Sequence, residues 1–336
     1  MPSTSSRPNI LVTGGAGYIG SHAVLALLDA GWRVTVIDNL ATGFAEAVPS
    51  GAEFRRGDIG DAALVASIIE QQEIGAILHF AGSVVVPDSV ARPLEYYDNN
   101  SGKSRALVAA AVAGGVRHFI FSSTAATYGI PDSIPVAEDV PARPINPYGW
   151  SKLMTEQMLA DAAAAHGFNY CALRYFNVAG ADPAGRAGQS TEGATHLVKV
   201  AVEAAAGKRS YVTIYGTDFA TPDGTGVRDY IHVSDLADAH VLALEHLVRV
   251  PGTSHVLNCG YGRGFSVREV LDSVEKVAGV SIERKFAQRR AGDPDALVAD
   301  NRRLLATLPW RPRCDDLDTI TAHALAWERG LGPLAN

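Results

Sequence analysis

The chain is 336 residues long, 47% hydrophobic and 19% charged, with a formal net charge of -7. That length suggests about two domains, or one large α/β domain carrying a smaller one, and the acidic balance gives no electrostatic reason to expect a nucleic-acid partner. The longest clean apolar run, Ala106 to Ala113, stops at Gly114-Gly115, far short of the ~20 residues that span a bilayer.

In chain order, the first eight residues are polar with two prolines and read as a disordered tail without a signal-peptide core. A short apolar strand, Asn9 to Thr13, then runs into Gly15-x-Gly17-x-x-Gly20, and the amphipathic run Ser21 to Ala30 follows. Gly15 allows a sharp turn, Gly17 lets backbone approach a pyrophosphate, and Gly20 lets the helix sit close on the strand. The free amides of the helix N-terminus face the phosphates. A second strand, Arg33 to Ile37, ends in Asp38, about 20 residues beyond the glycines, where a carboxylate holds the hydroxyls of an adenosine ribose. An acid there repels a 2′-phosphate, which favours NAD over NADP.

The alternation continues with strand Glu53 to Arg56, helix Asp61 to Gln72, strand Ala76 to Phe80, helix Leu94 to Ala113 and strand His118 to Ser122. Strands separated by helices of this length predict a doubly wound parallel sheet of the Rossmann type. Ligands bind beyond the C-terminal strand ends of such sheets, which is where Gly57-Asp58-Ile59, Phe80-Ala81-Gly82 and Ser122-Ser123-Thr124 fall. Asp58 suits either an adenine contact or the cap of the next helix. A helix from about Tyr148 to His166 and a strand Tyr170 to Arg174 follow. From Asn177 the chain becomes loop-rich around one clear helix, Thr195 to Ala206, and reads as a smaller substrate lobe. The expected division is residues 1–8 as tail, 9–176 as the NAD-binding domain, and 177–336 as the substrate lobe, with segments of the last free to cross back.

Tyr148-Gly-Trp-Ser-Lys152 puts a phenol and an ammonium four residues apart on one helix face. A tyrosine with a pKa of ~10 is a poor base near neutrality, but a nearby lysine and an oxidised nicotinamide both favour its phenolate. Tyr148 is then placed to take a proton from a sugar hydroxyl. Cys171, Cys259 and Cys314 form neither a metal-type spacing nor an even disulfide framework, which fits a reducing, cytoplasmic compartment. The ten histidines show no metal-binding spacing, and no metal is expected.

The Thr13 to Gly20 turn, Ser122-Ser123-Thr124 and Tyr148-x-x-x-Lys152 resemble the extended short-chain dehydrogenase/reductase family. Within it, Asp38-Asn39-Leu40, His79-Phe80-Ala81-Gly82, Pro93 to Asn100, Arg174-Tyr175-Phe176-Asn177 and Gly224 to Val233 resemble the UDP-glucose 4-epimerase branch over nearly the whole chain. The resemblance implies inversion at C4 of UDP-glucose and UDP-galactose through a 4-keto sugar, with Thr124, Tyr148 and Lys152 catalytic. It implies NAD contacts from Gly14, Gly17, Tyr18, Ile19 and Gly20, from Asp38, Asn39, Asp58 and Ile59, and from Phe80, Ala81 and Gly82. Asn99, Ser122 and Tyr175 complete that set beside Tyr148 and Lys152. The UDP-sugar falls to Thr124, Tyr148, Asn177, His196, Leu197 and Tyr215, with Arg228 and Arg290 on the pyrophosphate and Asp293 and Leu297 beside the sugar.

Two positions depart from the branch. Val84 stands where epimerases often carry a lysine that touches NAD, and His196 where asparagine is common. Dehydratases of the family have Asp-Glu after the threonine, because eliminating water requires a proton donor and a base. Here Ala125 and Ala126 follow Thr124, and a glutamate usual in decarboxylases is missing at the second of them. A non-catalytic NAD-binding regulator has no need of Tyr148 and Lys152 together. The resemblance also implies a homodimer, paired through faces of the helices Leu94 to Ala113 and Tyr148 to His166.

Overall fold

The computed structural model describes residues 7–331 apart from residues 192 and 291. Its first half alternates strand and helix: β1 (Asn9–Thr13), α1 (Tyr18–Asp29), β2 (Val34–Asp38), β3 (Glu53–Arg56), α2 (Ala62–Gln71), β4 (Ile74–His79), α3 (Val86–Ala91), α4 (Pro93–Tyr96), α5 (Lys103–Ala113), β5 (His118–Thr124), α6 (Pro147–His166) and β6 (Asn169–Tyr175). The second half holds β7 (Asn177–Ala179), α7 (Leu197–Ala205), β8 (Val212–Tyr215), β9 (Val227–His232), α8 (Val233–Arg249), β10 (His255–Cys259), β11 (Gly264–Ser266), α9 (Val267–Ala278), β12 (Arg284–Ala287), β13 (Ala296–Leu297), α10 (Arg302–Thr307) and α11 (Leu317–Gly330).

Seven parallel strands in the order β10-β6-β5-β4-β1-β2-β3 form the main sheet. Strand order reverses between β1 and β4, so their C-terminal ends open the crevice in which such sheets bind ligands. The strands are buried on both faces and read as continuous apolar runs such as Ile10-Leu11-Val12. Val24 and Leu27 of α1 meet Leu236, Ala239 and Leu244 of α8 in the core on one face. Val65 and Ile68 of α2, Leu107 of α5 and Leu159 of α6 fill the other. Both α8 and β10 lie downstream of residue 176 yet belong to this layer.

In the smaller lobe α7, α9 and α11 pack around Ile214, Tyr230 and Ile320. Downstream of residue 176, α8, α9 and α11 were not legible in what reads as a loop-rich region around one helix. α9 carries the signals in full: Ser266 and Glu269 form a capping box, Val267, Val270, Leu271 and Val274 repeat at helical spacing, and Gly279 ends it at φ 70°. In α8 and α11 the buried stripes Leu236, His240, Leu247 and Leu317, Thr321, Leu325 are diluted by polar residues.

Three further differences have local causes. Of the expected tail 1–8, residues 1–6 lie outside the described residues, whereas Arg7 lays its guanidinium 4.8 Å from the Trp32 ring centre. The helix expected over Leu94 to Ala113 is interrupted by a π turn, Tyr97–Gly102, between α4 and α5. In the glycine turn it is Gly14, at φ 71°, that takes the left-handed backbone; a Cβ on Gly15 would instead meet Val36 Cγ1 at 2.7 Å. Gly15 is thus required by packing on β2, and the sharp turn belongs to its neighbour.

Buried histidines should make stability fall in mild acid. His79, His232 and His240 are buried, and burial pushes their imidazoles down to about 3, about 3 and about 4. An unfolded histidine titrates near ~6.5, so below that pH the unfolded chain binds protons the native chain refuses, and the native state loses ground as pH falls. At pH 5.5 each contributes a loss of about 1.4 kcal/mol, together roughly 4 kcal/mol against a usual total of about 5 to 15. Thermal melts at pH 7.5 and 5.5 should differ by several degrees; equal midpoints would show these rings charged in the native protein.

Candidate active site

The site is built where the strand ends meet. A Cβ on Gly20 would fall 2.1 Å from Gly14 O, so only glycine lets α1 start this close to the turn. Gly17 occupies the N-cap of α1, and no side chain caps the helix there. The first amides of α1 therefore keep their hydrogen-bonding capacity for an anion. At the end of β2, Asp38 accepts from Ala16 N at 3.0 Å and from Leu40 N at 2.8 Å. Those bonds hold Leu40 at φ 62°, a conformation costly for a branched side chain. The carboxylate keeps lone pairs free for hydroxyl donors. Bare helix amides, glycines crowded against backbone and a carboxylate at the second strand end fit a dinucleotide.

Asp58 does not cap α2; Asp61 does, accepting from Leu64 N at 3.0 Å. Asp58 accepts from Lys103 Nζ at 2.6 Å, Gly60 N at 2.8 Å and Asn39 Nδ2 at 3.1 Å. Burial raises its carboxyl pKa, but those donors outweigh it and hold the group below its ordinary value. Ile59 is buried beside it.

After β4, a directed hydrogen-bond chain fixes the wall of the crevice. Ser104 Oγ gives its proton to Asn100 O, so it accepts from His79 Nε2 at 2.8 Å, and Nδ1 of the same ring accepts from Thr13 Oγ1 at 2.7 Å. Ala81 N closes the chain on Thr13 Oγ1 at 3.3 Å. Asn100, delivered inward by the π turn, clamps Ser83 through its backbone N at 2.7 Å and O at 2.9 Å. Asn99 reaches only the Ser83 hydroxyl, at 2.9 Å. A regular helix separates these two asparagines by one step and cannot say which points inward, so Asn100 was missed. Phe80 packs at 4.8 Å on the His240 ring, and Gly82 runs at φ 155° with Asn100 Oδ1 at 3.0 Å from where a Cβ would sit.

Tyr148 and Lys152 enter from α6, whose N-cap Asn146 accepts from Gly149 N at 2.9 Å. Lys152 is buried, with Nζ donating to Ser122 O at 3.0 Å, and burial pushes its ammonium down to about 8 against an upward pull from Glu156. Tyr148 is also buried. Burial pushes its phenol above the ordinary value, the neighbouring Tyr175 adds to that, and the Thr124 side chain works the other way. Thr124 Oγ1 also accepts from Ala126 N at 3.1 Å, and Tyr175 and Ser122 share a hydroxyl bond at 2.7 Å.

On the substrate side, β9 gathers three expected residues. Asn177 pairs with Tyr230 and Leu297 with Arg228 along it. Arg228 donates to Val227 O at 2.8 Å, and burial lowers its pKa. Arg290 lies 3.9 Å over the half-exposed Tyr215 ring. Among the described residues neither arginine forms a salt bridge with a carboxylate. Leu297 packs with Ala125, Tyr128 and Phe176, one residue past Thr124. Asp293 closes a turn on Arg290 O at 3.3 Å, while exposed His196 accepts or donates to Gln189 at 2.9 Å and Leu197 begins α7. Tyr18 gives its hydroxyl to Gly180 O at 2.7 Å, and Ile19 packs against the core.

The model of the family described as NAD dependent epimerase/dehydratase matches residues 10–260. A UDP-glucose 4-epimerase of Azospirillum brasilense is 56% identical over 98% of this chain and 94% of its own length. The crystal structure of a UDP-glucose 4-epimerase from Brucella ovis in complex with NAD superposes with a TM-score of 0.93 at 45% identity, covering 96% of this chain and 99% of that one. One from Bifidobacterium longum in complex with NAD+ and UDP gives a TM-score of 0.90 at 38% identity, with 95% and 98% covered. The crevice, the Tyr148 and Lys152 pair and these likenesses agree: the chain belongs to the NAD dependent epimerase/dehydratase family and, within it, to the UDP-glucose 4-epimerases.

Proposed function

We propose that this chain inverts C4 of UDP-glucose and UDP-galactose by the residues that converge on β5 and α6. The observation that carries the reading is the buried Tyr148 phenol, whose pKa the Thr124 side chain pulls down, on the same helix as buried Lys152, with Ala125 and Ala126 after Thr124. Bound NAD supplies the hydride acceptor and donor. With a bound oxidised nicotinamide favouring the phenolate, Tyr148 Oη would take the proton from O4 and return it after the sugar has turned. Thr124 Oγ1 bonds the same oxygen, and Lys152 Nζ holds its charge beside the crevice. With alanine at 125 and 126 there is no acid or base for eliminating water at C5 and C6, so the product keeps all its hydroxyls. Incubation with UDP-glucose should give UDP-galactose; a 4-keto-6-deoxy sugar would instead mean dehydration.

The UDP part would be held by Arg228 and Arg290, which form no salt bridge among the described residues and so have forks to offer a diphosphate. Residues 9–176 would carry the dinucleotide and 177–336 the sugar nucleotide, with α8 and β10 returning to the first layer. No helix among the described residues is long and apolar enough to cross a membrane. A cytoplasmic homodimer fits the surface: Trp150 and Met154 on α6 stand exposed, and Ala109 and Ala113 lie open on α5 while Leu107 and Ala111 face the core. Such faces pair as a four-helix bundle.

Leu297 would gate the sugar's 2-substituent. It fills space beside Ala125 and Phe176, and forcing an acetamido group into a filled wall costs about 1 to 3 kcal/mol, roughly 5- to 150-fold. Leu297→Cys should raise the ratio of UDP-N-acetylglucosamine to UDP-glucose turnover within that range. An unchanged ratio would place the gate elsewhere.

A further inference from the structure

Glu156 stands one turn beyond Lys152 on α6 and is buried. Its carboxylate accepts from Arg174 Nε at 2.9 Å, from Arg174 Nη2 at 2.6 Å and from the Ser123 hydroxyl. Arg174 is buried too, 4.8 Å over the Tyr128 ring. Buried ion pairs often stabilise a fold no better than apolar residues of the same shape, so stability alone is a weak reason for this one. Its position is a stronger reason. The residue before Ser123 gives its carbonyl to Lys152, the residue after it is Thr124, and the residue after Arg174 is Tyr175, bonded to Ser122. Arg174 and Ser123, the two partners of Glu156, thus adjoin Tyr175, Ser122 and Thr124 in sequence.

We propose that Glu156 is a positioning residue: through Ser123 of β5 and Arg174 of β6 it sets the depth at which α6, which carries Tyr148 and Lys152, sits on the sheet. This rests on the roles proposed above for Tyr148 and Lys152. The other groups around α6 are occupied or uncharged. β4 brings His79, held neutral by burial; β5 brings the Ser122 carbonyl and the Phe121 ring, 5.0 Å from Nζ; β6 brings Tyr175 and, bonded to Glu156, Arg174. The π turn brings the Asn100 amide and the exposed Asp98. Tyr128 gives its hydroxyl to Asn258 and Tyr96 to Val85 O, Asp88 and Glu95 pair with Arg92, Lys103 pairs with Asp58, and Arg105 is exposed. Burial presses Lys152 down to about 8, and the Glu156 charge opposes it.

Glu156→Gln alone would strand the Arg174 guanidinium, so the test uses Glu156→Gln with Arg174→Met, and Glu156→Asp as a variant that keeps the charge. The chain has six lysines, few enough to resolve and to assign Lys152 in lysine-labelled protein by nuclear magnetic resonance. In the double variant the Lys152 resonance should move from its wild-type position, because α6 is no longer tied to β5 and β6 and Lys152 shifts against the Ser122 carbonyl. The variant's kcat should fall while KM for the UDP-sugar holds, and Glu156→Asp, which keeps a carboxylate for Arg174, should recover part of that loss. A double variant with the wild-type Lys152 resonance and the wild-type kcat would overturn the proposal, as would Glu156→Asp losing as much kcat as the double variant. Failure of the wild type to convert any UDP-hexose would sink the functional reading and leave the Lys152 resonance to be judged by itself.

Discussion

Tyr148→Phe should lose roughly 10²- to 10⁴-fold in kcat, the usual worth of a positioned general base. The substitution removes one oxygen and little volume from a buried ring. Folding should survive, and NAD and UDP should bind as before, because the glycine turn, Asp38 and the two arginines are untouched. The loss should therefore appear in kcat with KM nearly constant, the pattern of an interaction made in the transition state. Turnover within a few-fold of wild type would move the proton transfer to another group.

Arg228→Met should weaken UDP binding roughly 10- to 150-fold, from the about 1.5 to 3 kcal/mol that a hydrogen bond to a charged group contributes. Arg228 is the most constrained of the candidate anion ligands. It sits in β9 between Phe265 and Leu297, its Nη1 already bonds Val227 O at 2.8 Å, and burial lowers its pKa. A cation held that way without a carboxylate costs stability until an anion arrives. Removing it should leave the melting temperature of the free protein unchanged or higher, while calorimetry shows weaker UDP and unaltered NAD affinity. Lysine would not substitute, having no planar fork for a diphosphate. Equal UDP affinity in wild type and variant would assign the diphosphate to Arg290 alone.

The sheet was readable because its strands are buried on both faces and separated by regular helices, so apolar runs and turn glycines mark them without help from tertiary context. Tyr148, Lys152 and Thr124 were readable because short spacings place them. Asn100, Ser83 and the Glu156–Arg174 pair were not: a π turn adds a residue that no periodicity announces, and the ion pair joins positions 18 residues apart across α6 and β6. The exchange of roles between Gly14 and Gly15 is of the same kind. Both are glycines in the motif, and only the contact with Val36 decides which carries the turn and which the packing.

The central claim is that C4 is inverted by removing and returning the same hydrogen, with nothing else in the sugar changed. UDP-glucose deuterated at C4, incubated with the protein and NAD and followed by nuclear magnetic resonance, tests it most directly. The account predicts an equilibrium mixture of UDP-glucose and UDP-galactose with the deuterium still on C4 of both. Deuterium lost to solvent, or a product oxidised or dehydrated instead of inverted, would contradict it.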